Sequence, residues 1–187
     1  MKKTLLAFLL FPAITFADSG VVNFLSAEIG SASGGSEDSV AGFGYEAVIS
    51  EKLSLSLDYS DLRYEDGTVF DSTEANMNVA IGSFGEGSTY VGIGALIPFN
   101  NDTGPDFIAS ANSIHDELST GVNAGYSKRT GKGIDYDIGV TFLDKRAPRY
   151  SASILAPVGP TGFGISLGLE KSEGGLVYTS LGVYVAF

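Results

Sequence analysis

The single histidine, in His115-Asp116-Glu117, is where acid–base chemistry would have to begin. Ser110, Ser113 and Ser119 lie close enough in sequence to be considered as nucleophiles. A Ser–His pair needs the base within hydrogen-bond reach of the hydroxyl and a third group to orient the imidazole. In an extended segment Asp116 points to the face opposite His115, and the serines form no catalytic motif. His115 therefore reads as a solvated loop residue. Asn100-Asn-Asp-Thr-Gly-Pro-Asp106 is rich in oxygen ligands, as a calcium loop is. It lacks the spaced ligands and the closing Glu of the helix-flanked calcium motif, so it too reads as a solvated loop. The chain has no Cys, which removes thiolate chemistry, cysteine zinc sites and disulfides together. No phosphate loop or nucleotide fingerprint is present. The expectation is a protein with no catalytic residues, no cofactor and no metal centre.

A second set of chemically capable residues repeats along the chain. Glu46, Asp58, Asp135, Asp137 and Glu170, with Asn76, Asn78 and Asn123, each occupy the polar side of a segment whose other side is apolar. Glu28 and Glu117 are less regular members of the set. Arg149 and Arg63 are the candidate basic residues near that face. An unpaired carboxylate in an apolar interior is very costly and tends to take up a proton. The set is therefore read as lumen-lining, in a hydrated electronegative interior that attracts cations over anions. Structural hydrogen bonding inside a filled interior is the alternative.

The elements that must position these residues are alternating segments of roughly ten residues, each followed by a turn or loop. Leu53, Leu55, Leu57 and Tyr59 face one way and Ser54, Ser56 and Asp58 the other. The same alternation runs through 41–49, 75–82, 91–97, 118–126, 134–142, 150–156, 163–170 and 177–187. Val21 to Gly30 is less regular, because Val21-Val22 and Phe24 blur its phase; it counts as a tenth strand with a bulge. Short turns are expected at Ser50-Glu51-Lys52, Gly85-Glu86-Gly87, Thr130-Gly131-Lys132 and Gly159-Pro160-Thr161. Longer connections at the other end are expected at Gly30 to Asp38, Glu65 to Thr73, Phe99 to Asp116 and Asp144 to Pro148, with a tight hairpin at Ser172 to Gly175. Phe107 to Ile114 could extend a hairpin above the membrane. Aromatic residues gather near the strand ends, Tyr126, Phe163 and Phe187 at one and Tyr59, Tyr64, Phe99, Phe142 and Tyr150 at the other. Amphipathic rings prefer headgroup depth.

The last segment carries a resemblance. Leu181, Val183, Val185 and Phe187, with Tyr184 on the other face, resemble the final strand of bacterial outer-membrane β-barrel proteins, the porin-like and OmpA-type superfamily. The resemblance implies that these five residues act as the signal read by the barrel-assembly machinery. It also implies an all-β fold: an antiparallel up-and-down transmembrane barrel of about ten strands, with eight or twelve as alternatives.

The amino-terminal residues fit export. Lys2 and Lys3 precede an apolar run from Leu5 to Phe11, and Thr15-Phe16-Ala17 offers a cleavage site before Asp18. The run is shorter than the roughly 20 residues of a spanning helix. Residues 1–17 are therefore read as a signal peptide and 18–187 as one barrel domain. Lys2 and Lys3 are the only charges lost on cleavage, which turns a net charge of −11 into −13. That excludes the basic stripe of a nucleic-acid binder.

Location is better specified than activity: a bacterial outer membrane, with outer-membrane lipid, lipopolysaccharide and small cations as the partners expected. A porin-like protein with a narrow, cation-preferring lumen is the leading expectation. A structural barrel with a plugged lumen, binding partners through its outer loops, is the alternative. A lipid-modifying enzyme is a distant third. The acyltransferases, deacylases, phospholipases and proteases of outer membranes are similar in architecture only, and the residue constellations they use are missing.

Overall fold

The computed structural model describes residues 22–33, 37–50, 52–64, 69–99, 118–130, 133–144, 146–160, 162–171 and 177–187. They form ten antiparallel strands: β1 Val22–Ser33, β2 Glu37–Ser50, β3 Leu53–Tyr64, β4 Val69–Phe84, β5 Gly87–Phe99, β6 Ser119–Lys128, β7 Asp135–Leu143, β8 Arg149–Pro157, β9 Phe163–Lys171 and β10 Val177–Ala186. Each strand pairs with its sequence neighbours, and β1 closes on β10. The closing register runs from Phe24↔Ala186 to Ser33↔Val177. Asn23 and Phe187 extend it by exchanging backbone hydrogen bonds of 2.9 and 3.0 Å. The end where β1 begins and β10 stops is called the lower end.

The side-chain pattern is inverted relative to a water-soluble protein. Ile29, Ile93, Val122, Ile138, Ile154, Leu167 and Leu181 stand exposed on the outer wall. Asn123, Asp135, Glu74 and Thr141 are buried. A period of two in every strand produces this division. The wall satisfies its own backbone groups and leaves its outer surface apolar, as a wall standing in hydrocarbon requires.

Several strands outrun the apolar alternation. β1 continues to Ser33, β2 starts at Glu37 and β4 starts at Val69, within stretches expected to be loops. Alternation marks the apolar band, whereas pairing persists as long as a neighbouring strand can supply partners. Polar outward residues at the upper end, among them Asp61, Arg63 and Asp71, remain in register. Arg63 pairs with Asp61 at 3.0 Å on the outside, so it is not a lumen residue.

The bulge expected in β1 lies elsewhere. β1 pairs in unbroken register on both sides. Register shifts occur between Val48 and Ser50, between Glu37 and Ser39, and between Ala80 and Gly82. Phe24 breaks the phase of β1 because it points inward. It is 3% exposed and packs with Leu155 and the inward Tyr184, its ring 6.2 Å from that of Tyr184. Gly164 makes room for Tyr184, since a Cβ there would overlap the tyrosine ring.

The β4–β5 turn is Gly85-Glu86, with Gly85 at φ 58°, where a side chain would be strained. Beside it Tyr126 donates to the Phe84 carbonyl at 2.6 Å, meets the Phe84 ring edge-on and packs at a tilt against Tyr136. Lys128 bonds Glu86 at 2.6 Å and holds that carboxyl below its ordinary value. Phe163 and Phe187 are exposed at this lower end, and Phe142 and Tyr150 toward the other. The side chains of Tyr64 and Phe99, residues 1–21 and residues 100–117 lie outside the description. With them go the signal peptide, Asn100–Asp106, the 107–114 hairpin, Ser110, Ser113, His115, Asp116 and Glu117.

Phe24→Ala is expected to cost about 3 kcal/mol through the cavity it leaves. Urea unfolding from lipid vesicles measures it; an unchanged midpoint would mean that the cluster does not brace the closing strands.

Candidate functional site

Two charged struts cross the barrel interior. Arg129 follows the lower end of β6, and its Nε lies 3.0 Å from a Glu46 oxygen on β2. Its Nη2 donates to Ser153 on β8 at 3.3 Å. Arg149 opens β8 at the upper end; it pairs closely with Glu74 on β4 and lies 3.5 Å from Glu170 on β9. Each strut joins strands four apart in a ring of ten, so each reaches nearly to the opposite wall. Planar guanidinium forks suit such bridging, because they hold two carboxylate or hydroxyl partners at once.

Below, Asp135 is fully buried and accepts from the Thr130 amide and hydroxyl, both at 2.9 Å. Asp137 accepts from Tyr90 at 3.3 Å. Tyr90 lies over Gly125 and Gly139, where a Cβ would meet its ring or hydroxyl. Glu28 accepts from Ser180 at 2.7 Å. Arg146, at the upper rim, donates to the buried Ser119 at 3.1 Å.

Asn123 donates to Asn76 Oδ1 at 3.0 Å, and Asn76 donates to Glu74 Oε1 at 3.0 Å. Asn78 pairs in register with Gly92, and Gly92 with Asn123. Asn123, Asn76, Glu74 and Arg149 therefore form one continuous polar chain, with Asn78 on the same rung as Asn123.

The interior is not filled throughout. Asp58 faces Gly44 and Ser26 from inside the wall, yet it and Glu28 remain exposed to space large enough for water. That space lies inside a wall whose buried groups are mostly hydrogen-bonded. Seven described carboxylates point inward: Glu28, Glu46, Asp58, Glu74, Asp135, Asp137 and Glu170. They face Arg129 and Arg149, with Arg146 at the rim. At the closing seam Leu181 and Val183 point outward and are exposed, Val185 is partly buried, and Tyr184 is buried inside.

Arg129 was not expected in the lumen. It falls three residues beyond the alternating segment and one beyond β6, beside a turn, so the alternation read from the sequence does not assign it a face. The signal that could have found it was electrostatic. Glu46, Asp135 and Asp137 gather near one end of the barrel, and Arg129 is a cation at that same end.

No family model and no curated protein matches the chain. Solved barrels resemble it. The porin KdgM shares 9% identity over 89% of this chain and 99% of its own, with a TM-score of 0.47. The COG4313 outer membrane channel from Pseudomonas putida F1 shares 8% over 93% and 100%, with a TM-score of 0.46. The N-terminal β-barrel domain of Pseudomonas aeruginosa OprF shares 16% over 90% and 98%, with a TM-score of 0.38. These are likenesses of architecture. The barrel itself rests on the strand pairing described above.

Arg149→Met strands Glu74, which is 10% exposed, and is expected to destabilise the barrel by about 3 kcal/mol. Adding Glu74→Gln should recover part of that loss, and a double-mutant cycle measures the coupling. Strictly additive losses would mean that the strut carries no interaction energy.

Proposed function

We propose that the chain is an integral outer-membrane barrel with a narrow, hydrated path that prefers cations. The observation that carries this reading is the exposure of Asp58 and Glu28 to water-sized space inside the wall. Carboxylates at such positions keep their charge cheaply only if water or counter-cations reach them. The excess of inward carboxylates over guanidiniums makes that space electronegative, which attracts cations and repels anions. Barrels of about eight strands are filled by side chains, and only much wider ones leave an open channel. Ten strands with two struts across the lumen leave room for a small ion and not for a general solute.

In this reading the lower end faces the periplasm and the apolar outer wall stands in lipid, with lipopolysaccharide around its upper rim. The seam residues Leu181, Val183, Tyr184, Val185 and Phe187 supply the signal for the assembly machinery. No catalysis is assigned. The struts themselves favour a second reading, a barrel held shut whose outer loops do its work.

Recording from the refolded protein in planar bilayers separates the two. Under a potassium chloride gradient the path reading expects small unitary steps whose reversal potential lies toward potassium. Arg149→Ser, which removes a strut and a positive charge, should raise the unitary current severalfold. Background current alone from demonstrably folded protein contradicts the path and favours the closed, surface-binding barrel.

A further inference from the structure

The asparagine group has a polarity that Glu74 dictates. The Glu74 carboxylate, paired with Arg149, can only accept, so Asn76 must turn its Nδ2 toward it. The Asn76 oxygen then faces away and takes its hydrogen bond from Asn123 Nδ2. Asn123 is thereby obliged to point its own oxygen onward. That oxygen is buried without a donor in a residue only 7% exposed. The Asn78 oxygen is also buried without a donor. Both oxygens converge on the same place, because a Cβ built on Gly92 would overlap each of them. Gly92 sits between the two asparagines on one rung of the sheet.

Two carbonyl oxygens turned toward one another repel unless something positive lies between them, and a buried acceptor left unmet is costly. Neutral amide oxygens replace the hydration shell of an alkali ion, as carbonyl rings do in selective filters. Divalent cations favour sites with more carboxylate charge, and the carboxylate linked to these asparagines through Asn76, Glu74, is already held by Arg149. We infer that Asn78 and Asn123 form a binding site for a monovalent alkali cation over Gly92. The site rests on the cation-path reading and names where along the path a permeating ion loses water.

The test uses thallium(I), a potassium surrogate with a strong anomalous signal, soaked into crystals of the refolded full barrel. An anomalous peak in contact with Asn78 Oδ1 and Asn123 Oδ1 is expected. Asn78→Leu, close in size and without the oxygen, should lose the peak. Asn78→Asp should keep it and strengthen it. A wild-type barrel with no peak overturns the site, as does a peak that survives Asn78→Leu. Side-chain amide NMR would then place an Asn78 Nδ2 hydrogen bond on Asn123 Oδ1, unmoved by thallium. Failure of the path is distinguishable: a peak without conductance upholds the site and removes the path, whereas cation-selective current without a peak removes the site alone.

Discussion

Closure of β1 against β10 is the constraint on which the rest of the structure depends. A sheet with an open edge in hydrocarbon would leave a row of backbone donors and acceptors without partners, at several kcal/mol for each. The ten strands remove that edge by pairing around the ring. Once the ring is closed, the period-two alternation of every strand has only two destinations, lipid or lumen. The apolar set then faces out because lipid tails are its only favourable solvent. The carboxylates and amides face in because no other surface is left to them.

That confinement explains the lumen chemistry. Acids collected on an inner wall repel one another, and Arg129 and Arg149 each offset part of that charge, one near each end. Asp58 and Glu28, between those ends, are exposed inside the wall. Room for the cross-barrel contacts comes from glycine. Tyr90 lies over Gly125 and Gly139, Tyr184 over Gly164, and the asparagine oxygens over Gly92. Small residues on the inner wall are thus sites where a side chain from another strand comes to rest.

The fold was largely legible because alternation reports which solvent each side chain meets, and that choice is made residue by residue. The strand number followed from it. Strand ends were not legible in the same way: β4 pairs from Val69 although its alternation becomes clear only at Ala75. The site was legible as a face and not as a set of contacts. Asn76, Asn78 and Asn123 could be placed on the polar side of their strands, but only the register sets Asn123 beside Asn76. The struts join residues 83 and 75 positions apart. Their partners depend on the height of each strand in the ring, which local periodicity does not encode. Phe24 misled for a related reason, since an aromatic residue on the inner wall looks like a phase error until Tyr184 is seen beside it.

The central claim is that the apolar wall of the ring stands in lipid and its polar wall does not. The chain has no cysteine, so single spin labels can be introduced along β9 at Ile165→Cys, Ser166→Cys, Leu167→Cys and Gly168→Cys without background. Collision rates with oxygen, which concentrates in hydrocarbon, and with a water-soluble nickel complex can be compared in vesicles. The account predicts a two-residue alternation, with oxygen favoured at 165 and 167 and disfavoured at 166 and 168. Nickel access at 165 and 167 equal to that of a label in bulk water would contradict it.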